Sequence, residues 1–533
     1  MKRKIYHFLR IDSFSLFYKI NIMGKTTFYY FVTLLIGNLS ANAQTLSSKI
    51  LDSVSQQPIP YVTVQLKNKG VITNEEGIFS FLLNENIKET DSLFISCIGY
   101  ESIGEPLHNF TEKVILLQPK AIELNDVILS NKQYTAEEII DLAKESITKN
   151  YNLDISKKRL FFRNSHFQDF YKNDYVFVKS SIDALNKKFL DSVLQSVPKK
   201  SSYYSEILCD LYGGFDKNKQ KINLIKASEL YDKSKDLDFT KLEKKFNEII
   251  KANVKPNSYL KIKSGFFGTK IKGEDFEEFY GREVDSTDTA ALKKELEKKK
   301  KRQEERKTNF PKYKKKALGE MMQSLFFMED SMLNFINKPG KYEYTLQDFT
   351  YVGNETVYII DFKSEGSADY KGRLYINADD FAVIRVDYEN VKPLKKFSLL
   401  GVFKNDYLEK GMQIFSKDSA NKYTLRYLEK QSGVRAGIKR PLKIIEKNKI
   451  IRGKNKQNEL SLKLDMAMQG INKHEVIIFD SKKLTNTQFE AFTESNTILP
   501  TYMPNYNPEF WKGHNIIEPN QAIKEFTSET AVE

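Results

Sequence analysis

Residues 59–83 read IPYVTVQLKNKGVITNEEGIFSFLL. This stretch limits the fold more than any other. Val62, Val64 and Leu66 alternate with Tyr61, Thr63 and Gln65, the period-2 pattern of a half-buried strand. TNEEG is a turn cluster, and Gly77 is the position that can take a positive φ. IFSFLL then begins a second strand. SLFISCIGY and KVILLQP add further short apolar runs, so residues 45–118 read as a small β-sandwich.

The motifs in this stretch come in a recognisable order. Pro58, Ile59 and Pro60 open it, Thr73, Gly77 and Phe79 mark the bend, and Gly99 and Tyr100 close the strand SCIGY. ELNDVIL follows. The pattern resembles the carboxypeptidase-regulatory-like domain of exported Bacteroidetes proteins, with Asn74 in place of the common Asp and the first Gly of the opening missing. The resemblance covers about 75 of the 533 residues. It implies a non-catalytic seven-stranded sandwich and no peptidase activity.

The N-terminus reads as an export signal. From Met23, Lys25 supplies charge, FYYFVTLLIGNL an apolar core, and Ala41-Asn42-Ala43 a small-x-small cleavage site before Gln44. The core is short for a bilayer span; an uncleaved membrane anchor is the alternative, and Met23 is an alternative start to Met1. No cysteine follows the core, so no lipoprotein anchor is expected. Cys97 and Cys209 fall in different proposed domains and are expected to be unpaired.

Charge narrows the function class. The formal charge is +14. Residues 1–43 hold six Lys/Arg and one Asp, so 6 − 1 = +5, and the rest carries 14 − 5 = +9. Residues 293–316 hold thirteen Lys/Arg and four Glu, and 13 − 4 = +9 equals that whole excess. A protein-wide basic face for nucleic acid is therefore excluded. The segment 283–316 reads as a solvated excursion; the sharper alternative is contact with an anionic lipid or polysaccharide surface.

The expected organisation is multidomain and mainly β with a helical insert. A signal peptide spans 1–43 and the sandwich 44–120. Residues 121–185 form a linker, a helix and strands; 186–335 is helical and contains the Lys-rich segment; 336–533 is an antiparallel sheet with a C-terminal tail. Thr135 with Glu138 makes a capping box before Ile139, Ile140, Ala143 and Ile147. Leu242, Phe246, Ile249 and Ile250 share a helical face. Ala382, Ile384, Val386 and Tyr388 share one strand face, and Leu460, Leu462 and Leu464 share another. The run GRLYINADDFAVIRV resembles the curved sheets of periplasmic lipoprotein-carrier-like proteins over about 50 residues.

No catalytic constellation is present in the sequence. His7, His108, His166, His474 and His514 lack metal-ligand spacing, and no H-E-x-x-H occurs. Asp379–Asp380 is a turn pair, while Glu75–Glu76 and Glu277–Glu278 are carboxylates without a visible cleft. Gly213–Gly214 has no phosphate-loop sequence after it, and SGFFGTK is no nucleophile elbow. No catalytic, cofactor-binding or metal-ligating residue is assigned. The cluster TYMPNYNPEFW, residues 501–511, could stack on sugar or lipid, or form a core edge.

These features lead to an exported, non-enzymatic binding or scaffolding protein at the outer membrane, in the periplasm or at the cell surface. Its expected partners are a lipid, a glycan or an outer-membrane protein. The rival is an envelope hydrolase whose acids and histidines converge in a cleft.

Overall fold

The structure is a computed structural model. It describes residues 45–83, 87–110, 113–120, 133–255, 257–265, 267–271, 289–451, 455–494 and 497–528. The expected leader with Met23 and His7, the run ELNDVIL, Glu277–Glu278 and residues 283–288 lie outside them.

Seven strands form the N-terminal sandwich. They are β1 (Thr45–Asp52), β2 (Thr63–Leu66), β3 (Lys69–Ile72), β4 (Ile78–Leu82), β5 (Ser92–Ser96), β6 (Ile103–Pro106) and β7 (Val114–Leu117). One sheet has the order β4-β1-β7, the other β3-β2-β5-β6. Ile50, Val62, Val64, Phe79, Phe81, Leu93 and Ile95 fill the space between them. Gly77 sits at φ +73°, and a Cβ there would lie 2.5 Å from the Ile50 carbonyl oxygen. The Asn74 side chain accepts from the backbone N–H groups of Glu76 and Ile78, which fixes the bend.

α1 (Ala136–Asn150) begins with the Thr135–Glu138 capping box and buries Ile139, Ile140 and Ala143. β8 (Ser156–Ser180), α2 (Lys187–Ser196), β9 (Lys200–Gly213), β10 (Lys221–Tyr231), α3 (Ser234–Asn253), β11 (Ser258–Ser264), β12 (Phe267–Ile271) and α4 (Thr289–Gln323) follow. Next come β13 (Tyr342–Val352), β14 (Glu355–Ser364), β15 (Tyr370–Asn377), β16 (Val383–Asn390), β17 (Lys395–Leu399), β18 (Val402–Lys417), β19 (Tyr423–Asn448) and β20 (Lys456–Lys483). α5 (Asn486–Ala491), β21 (Thr501–Met503) and α6 (Gln521–Lys524) complete the described chain.

A single large sheet gathers β8 to β21. Its main path is β13-β14-β15-β16-β18-β19-β20-β8-β9-β10-β21, with β11, β12 and β17 attached at the side. The fold is therefore mainly β, with a small sandwich before a large sheet. The segment 186–335 needs correction as a purely helical region. It holds α2, α3 and α4, yet β9 and β10 also lie in it, β9 paired with β8 and β10 with β9 inside the large sheet. Their apolar residues serve a sheet face, so a long apolar run reads alike for helix and buried strand.

The face of the sheet that carries the core is packed by α1, the end of α4 and residues 325–336. Leu318, Met321, Met322, Phe326 and Phe335 meet Phe162, Ile207, Phe362, Leu374 and Val476 there. The charge run needs a second correction. Residues 289–316 are helical, and the stretch 306–316 is not simply solvated: Arg306 pairs with Glu229, Lys315 with Glu494, and Lys314 is buried with its Nζ donating to Ser205 Oγ at 2.6 Å. One turn later the same helix enters the core. The periodicity of Leu318, Met321 and Met322 sets its facing, and Lys314 is carried inward with it.

Candidate functional site

β19 and β20 are 26 and 28 residues long and pair without interruption from Tyr427–Ile477 to Ile445–Glu459. An unbroken register keeps each residue parity on one face for the whole length. The two faces can be read along the ladder from the core outward.

On the core face, the first row across the strands is Leu428, Val476, Phe162, Ile207 and Ala227. All are buried. Two positions along, the row is Lys430, His474, Asn164, Ser205 and Glu229. This polar belt also receives Lys314 and Arg306 from α4. Burial, with Lys314 and Lys430 nearby, lowers the His474 imidazole to about 4. Burial lowers the Lys314 ammonium to about 8. Asn472 and His166 form the next pair, with His166 Nδ1 2.7 Å from Asn472 Oδ1.

Beyond the belt the same face carries more apolar residues, interspersed with Arg440, Lys404, Asp406 and Asn173. Val434 stands opposite Gly470, Ala436 opposite Met468, Ile438 opposite Met466, and Leu442 opposite Leu462. Leu464 and Tyr175 continue the surface. At the far end Leu460 and Leu462 are buried. α2 is fixed there by Tyr175, whose hydroxyl donates to Asp191 at 2.7 Å. Phe189 of α2 packs with Ile249 and Ile250 of α3, beside Ile182 and Leu185. Between the belt and this end, Val434, Ala436, Ile438, Leu464, Met466 and Met468 are only half-buried. The result is an apolar, methionine-containing surface with a polar belt on one side and a helical cap on the other.

The opposite face is richer in charge, with Tyr427, Ile477, Phe161 and Ile471 among its apolar members. Near the core, Glu429, Glu475, Arg163, Glu206 and Ser228 form one cross-strand row. Arg163 Nε donates to Glu206 at 2.7 Å, and its Nη2 to the Ile517 carbonyl at 2.7 Å. Trp511 Nε1 donates to the other Glu206 oxygen. Lys473 bridges Glu75, Glu429 and Glu475. Burial alone would lower the Lys473 ammonium, but these carboxylates hold it above its ordinary value. Burial pushes the Glu429 carboxyl up, against the pull of Lys473. Tyr61 of the sandwich donates to Glu429 at 3.3 Å, its ring 5.5 Å from that of Tyr427. These contacts fasten the sandwich to this face. Farther out, Lys172–Asp465 and Lys439–Asp465 are ordinary half-exposed pairs.

An open cleft of about 620 Å³ lies beside Tyr61, over Lys371, Arg373, Asp387, Lys410 and Met412. Its charges are largely engaged with one another, Arg373 with Asp361 and Lys371 with Glu389.

Among the described residues, the four histidines do not converge into one site. His108 is exposed, His514 lies in the C-terminal segment, and His166 and His474 belong to the polar belt. Among the described residues no three His, Cys, Asp or Glu groups are placed to hold a metal. Asp379–Asp380 occupies the turn between β15 and β16. Cys97 and Cys209 are both free. In the 501–511 cluster Met503 and Trp511 are buried, so it forms a core edge. The half-buried surface extends beyond Leu460, Leu462 and Leu464, the three residues the pattern singled out. Its signal was the continued alternation LSLKLDMAMQG.

A family model for the CarboxypepD_reg-like domain matches residues 46–129. It describes a non-catalytic regulatory domain. No curated protein matches the chain. A crystal structure of a LolA superfamily protein from Nitrosomonas europaea matches at 9% identity and a TM-score of 0.16, over 67% of this chain and 98% of that one. Among the described residues no helix is long and apolar enough to cross a membrane.

Proposed function

We propose that this chain is a non-enzymatic envelope protein that holds an acyl chain of a lipid on the half-buried apolar face of its β8–β20–β19 ribbon. The sandwich acts as a brace. Export through the N-terminal signal, in a Bacteroidetes host, and association with the outer membrane belong to the same proposal.

One observation carries the reading. Val434, Ala436, Ile438, Leu464, Met466 and Met468 share one face of an unbroken ladder and are neither fully buried nor solvent-facing. A sheet face of this kind is ordinarily covered by its own chain. Methionine suits a ligand of variable shape, because its thioether chain is flexible and polarisable. The polar belt of Lys430, His474 and Asn472 ends the apolar surface where a lipid headgroup would lie.

Displacement of a fluorescent fatty acid tests the reading. Ile438→Glu and Met466→Glu should each weaken binding at least about tenfold, since a carboxylate facing hydrocarbon must be desolvated or protonated. Lys463→Glu, on the other face of the same strand, should leave it unchanged. Unsaturable binding by the parent, or equal loss from Lys463→Glu, would overturn the reading.

A further inference from the structure

The turn that joins β17 to β18 places Leu400 at φ +48° and Gly401 at φ +79°. Two successive positive φ values define the type I′ hairpin, whose first central position favours Asn or Asp. Here it is a leucine, a residue that enters this region only against steric resistance. Burial does not offset that strain: Leu400 is 55% exposed, and Phe397 and Leu399 beside it are 51% and 53% exposed. Every residue of β17 is exposed.

A second hairpin meets this one. β18 pairs with β19 as far as Ile438, and β11 pairs with it from Lys443 onward. The turns of both hairpins therefore face the gap at residues 439–442. Arg440 joins them: its Nη2 donates to the Ser264 carbonyl at 2.6 Å, and its guanidinium lies 5.1 Å from the Phe267 ring. Phe267 is itself 55% exposed. Four large apolar side chains thus project from two adjoining hairpins.

Cations surround them. Lys395 and Lys396 are exposed and form no ion pair among the described residues. Lys439, Lys270 and Lys263 stand nearby in the two hairpins and on β19. Among the described residues the carboxylates in reach are Asp406, paired with Lys404, and Asp465, shared by Lys172 and Lys439. The balance of these described groups is positive.

We infer that the paired hairpin tips, Phe397–Leu400 with Phe267, dock this protein on an anionic phospholipid bilayer. The apolar side chains enter the acyl boundary and the lysines meet the headgroups. Apolar insertion and charge attraction act together in such docking, and either alone binds weakly. The inference goes beyond the acyl-chain reading and does not depend on it. Leu399 and Phe397 face the same side as Val402 and Lys404, so the tips lie at the rim of the apolar face.

Cosedimentation of the full chain with phosphatidylcholine vesicles, with and without phosphatidylglycerol, tests this. Comparison of variants in the same chain cancels any contribution of the N-terminal segment. Phe397→Ser with Leu399→Ser and Leu400→Asn should lower partitioning onto the anionic vesicles at least tenfold. Lys395→Glu with Lys396→Glu should lower it on anionic vesicles only. Leu400→Asn suits the turn, so the fold should survive it. As an independent readout, Leu400→Trp should give an emission that shifts to the blue when anionic vesicles are added. No shift, or undiminished partitioning of the triple variant, overturns the inference. So does a loss that merely follows self-association of the parent, seen by sedimentation velocity, since the tips would then bind a second copy. Fatty-acid displacement should be unaffected in all these variants.

Discussion

The two halves of the β19–β20 ladder share register, alternation and residue types, yet they do different work. In the inner half, Leu428 and Val476 lie beneath α1, α4 and residues 325–336 and are fully buried. In the outer half, Ala436, Met468, Ile438 and Met466 hold equivalent positions and remain half-buried. The opposite face changes in parallel, from the buried pair Arg163–Glu206 to the half-exposed pair Lys172–Asp465. An apolar stripe on a strand therefore specifies a face but not its cover. The cover comes from chain segments distant in sequence, such as Phe335 over Leu428.

The sharpest way to break this comparison is truncation of one apolar residue in each half. Phe162→Ala should cost about 3–5 kcal/mol, as expected for a fully buried aromatic side chain. Met468→Ala should cost less than about 1 kcal/mol, because the side chain has little packing to lose. Urea melts of both variants check this, and similar costs would mean that the outer half is also core. The charged faces should differ in the same direction. Arg163→Met leaves Glu206 buried without its cation and should cost about 3–4 kcal/mol. Lys172→Met should shift the midpoint far less, as an exposed pair does, in the same melts.

The belt between the halves gives a smaller, pH-dependent effect. The His474 imidazole is lowered to about 4 in the folded protein, against 6.5 ordinarily. Between those values the unfolded chain binds the extra proton, so stability falls as pH drops from about 6.5 towards 4. The full effect approaches about 3 kcal/mol, and His474→Gln should flatten that part of the pH profile. Lys314 acts on the alkaline side. Its ammonium is lowered to about 8, so its contribution to stability rises as pH climbs from about 8 to 10.5. Lys314→Met should remove that rise. The smallest effect is expected from Lys463→Ala, an exposed residue opposite the apolar stripe, at within about 0.5 kcal/mol; an effect above 1 kcal/mol would mean that the polar face is also covered.

Local chemistry made much of this legible in the sequence. The TNEEG bend, the Thr135–Glu138 cap and the Asp379–Asp380 turn each rest on neighbouring residues, and each was readable. Ile384, Val386 and Tyr388 are buried as their alternation requires, but Val383 is buried too, where the ladder shifts register, and Ala382 lies before the strand. Distant pairing was less legible. β9 is a strand because β8 lies beside it, and β10 because β9 does; nothing within SEILCDLYGG or KINLIKASELY separates that from a buried helix. Lys314 looks like its neighbours in a lysine run, and only the facing of Leu318 and Met321 shows why it is buried. The apolar face was visible as alternation, whereas its partial exposure depends on where α2 and α3 stop.

The pairing of β8 with β20 has a consequence for synthesis. Phe162 meets Val476, and 476 − 162 = 314 residues separate them. Closing so large a loop carries an entropic cost before any contact offsets it, and folding slows accordingly. Until β20 leaves the ribosome or the translocation pore, β8 presents a 25-residue edge with no partner on that side. Such edges recruit other chains. An escorting chaperone that covers β8 during those seconds would therefore matter more to the yield of this protein than to its final stability.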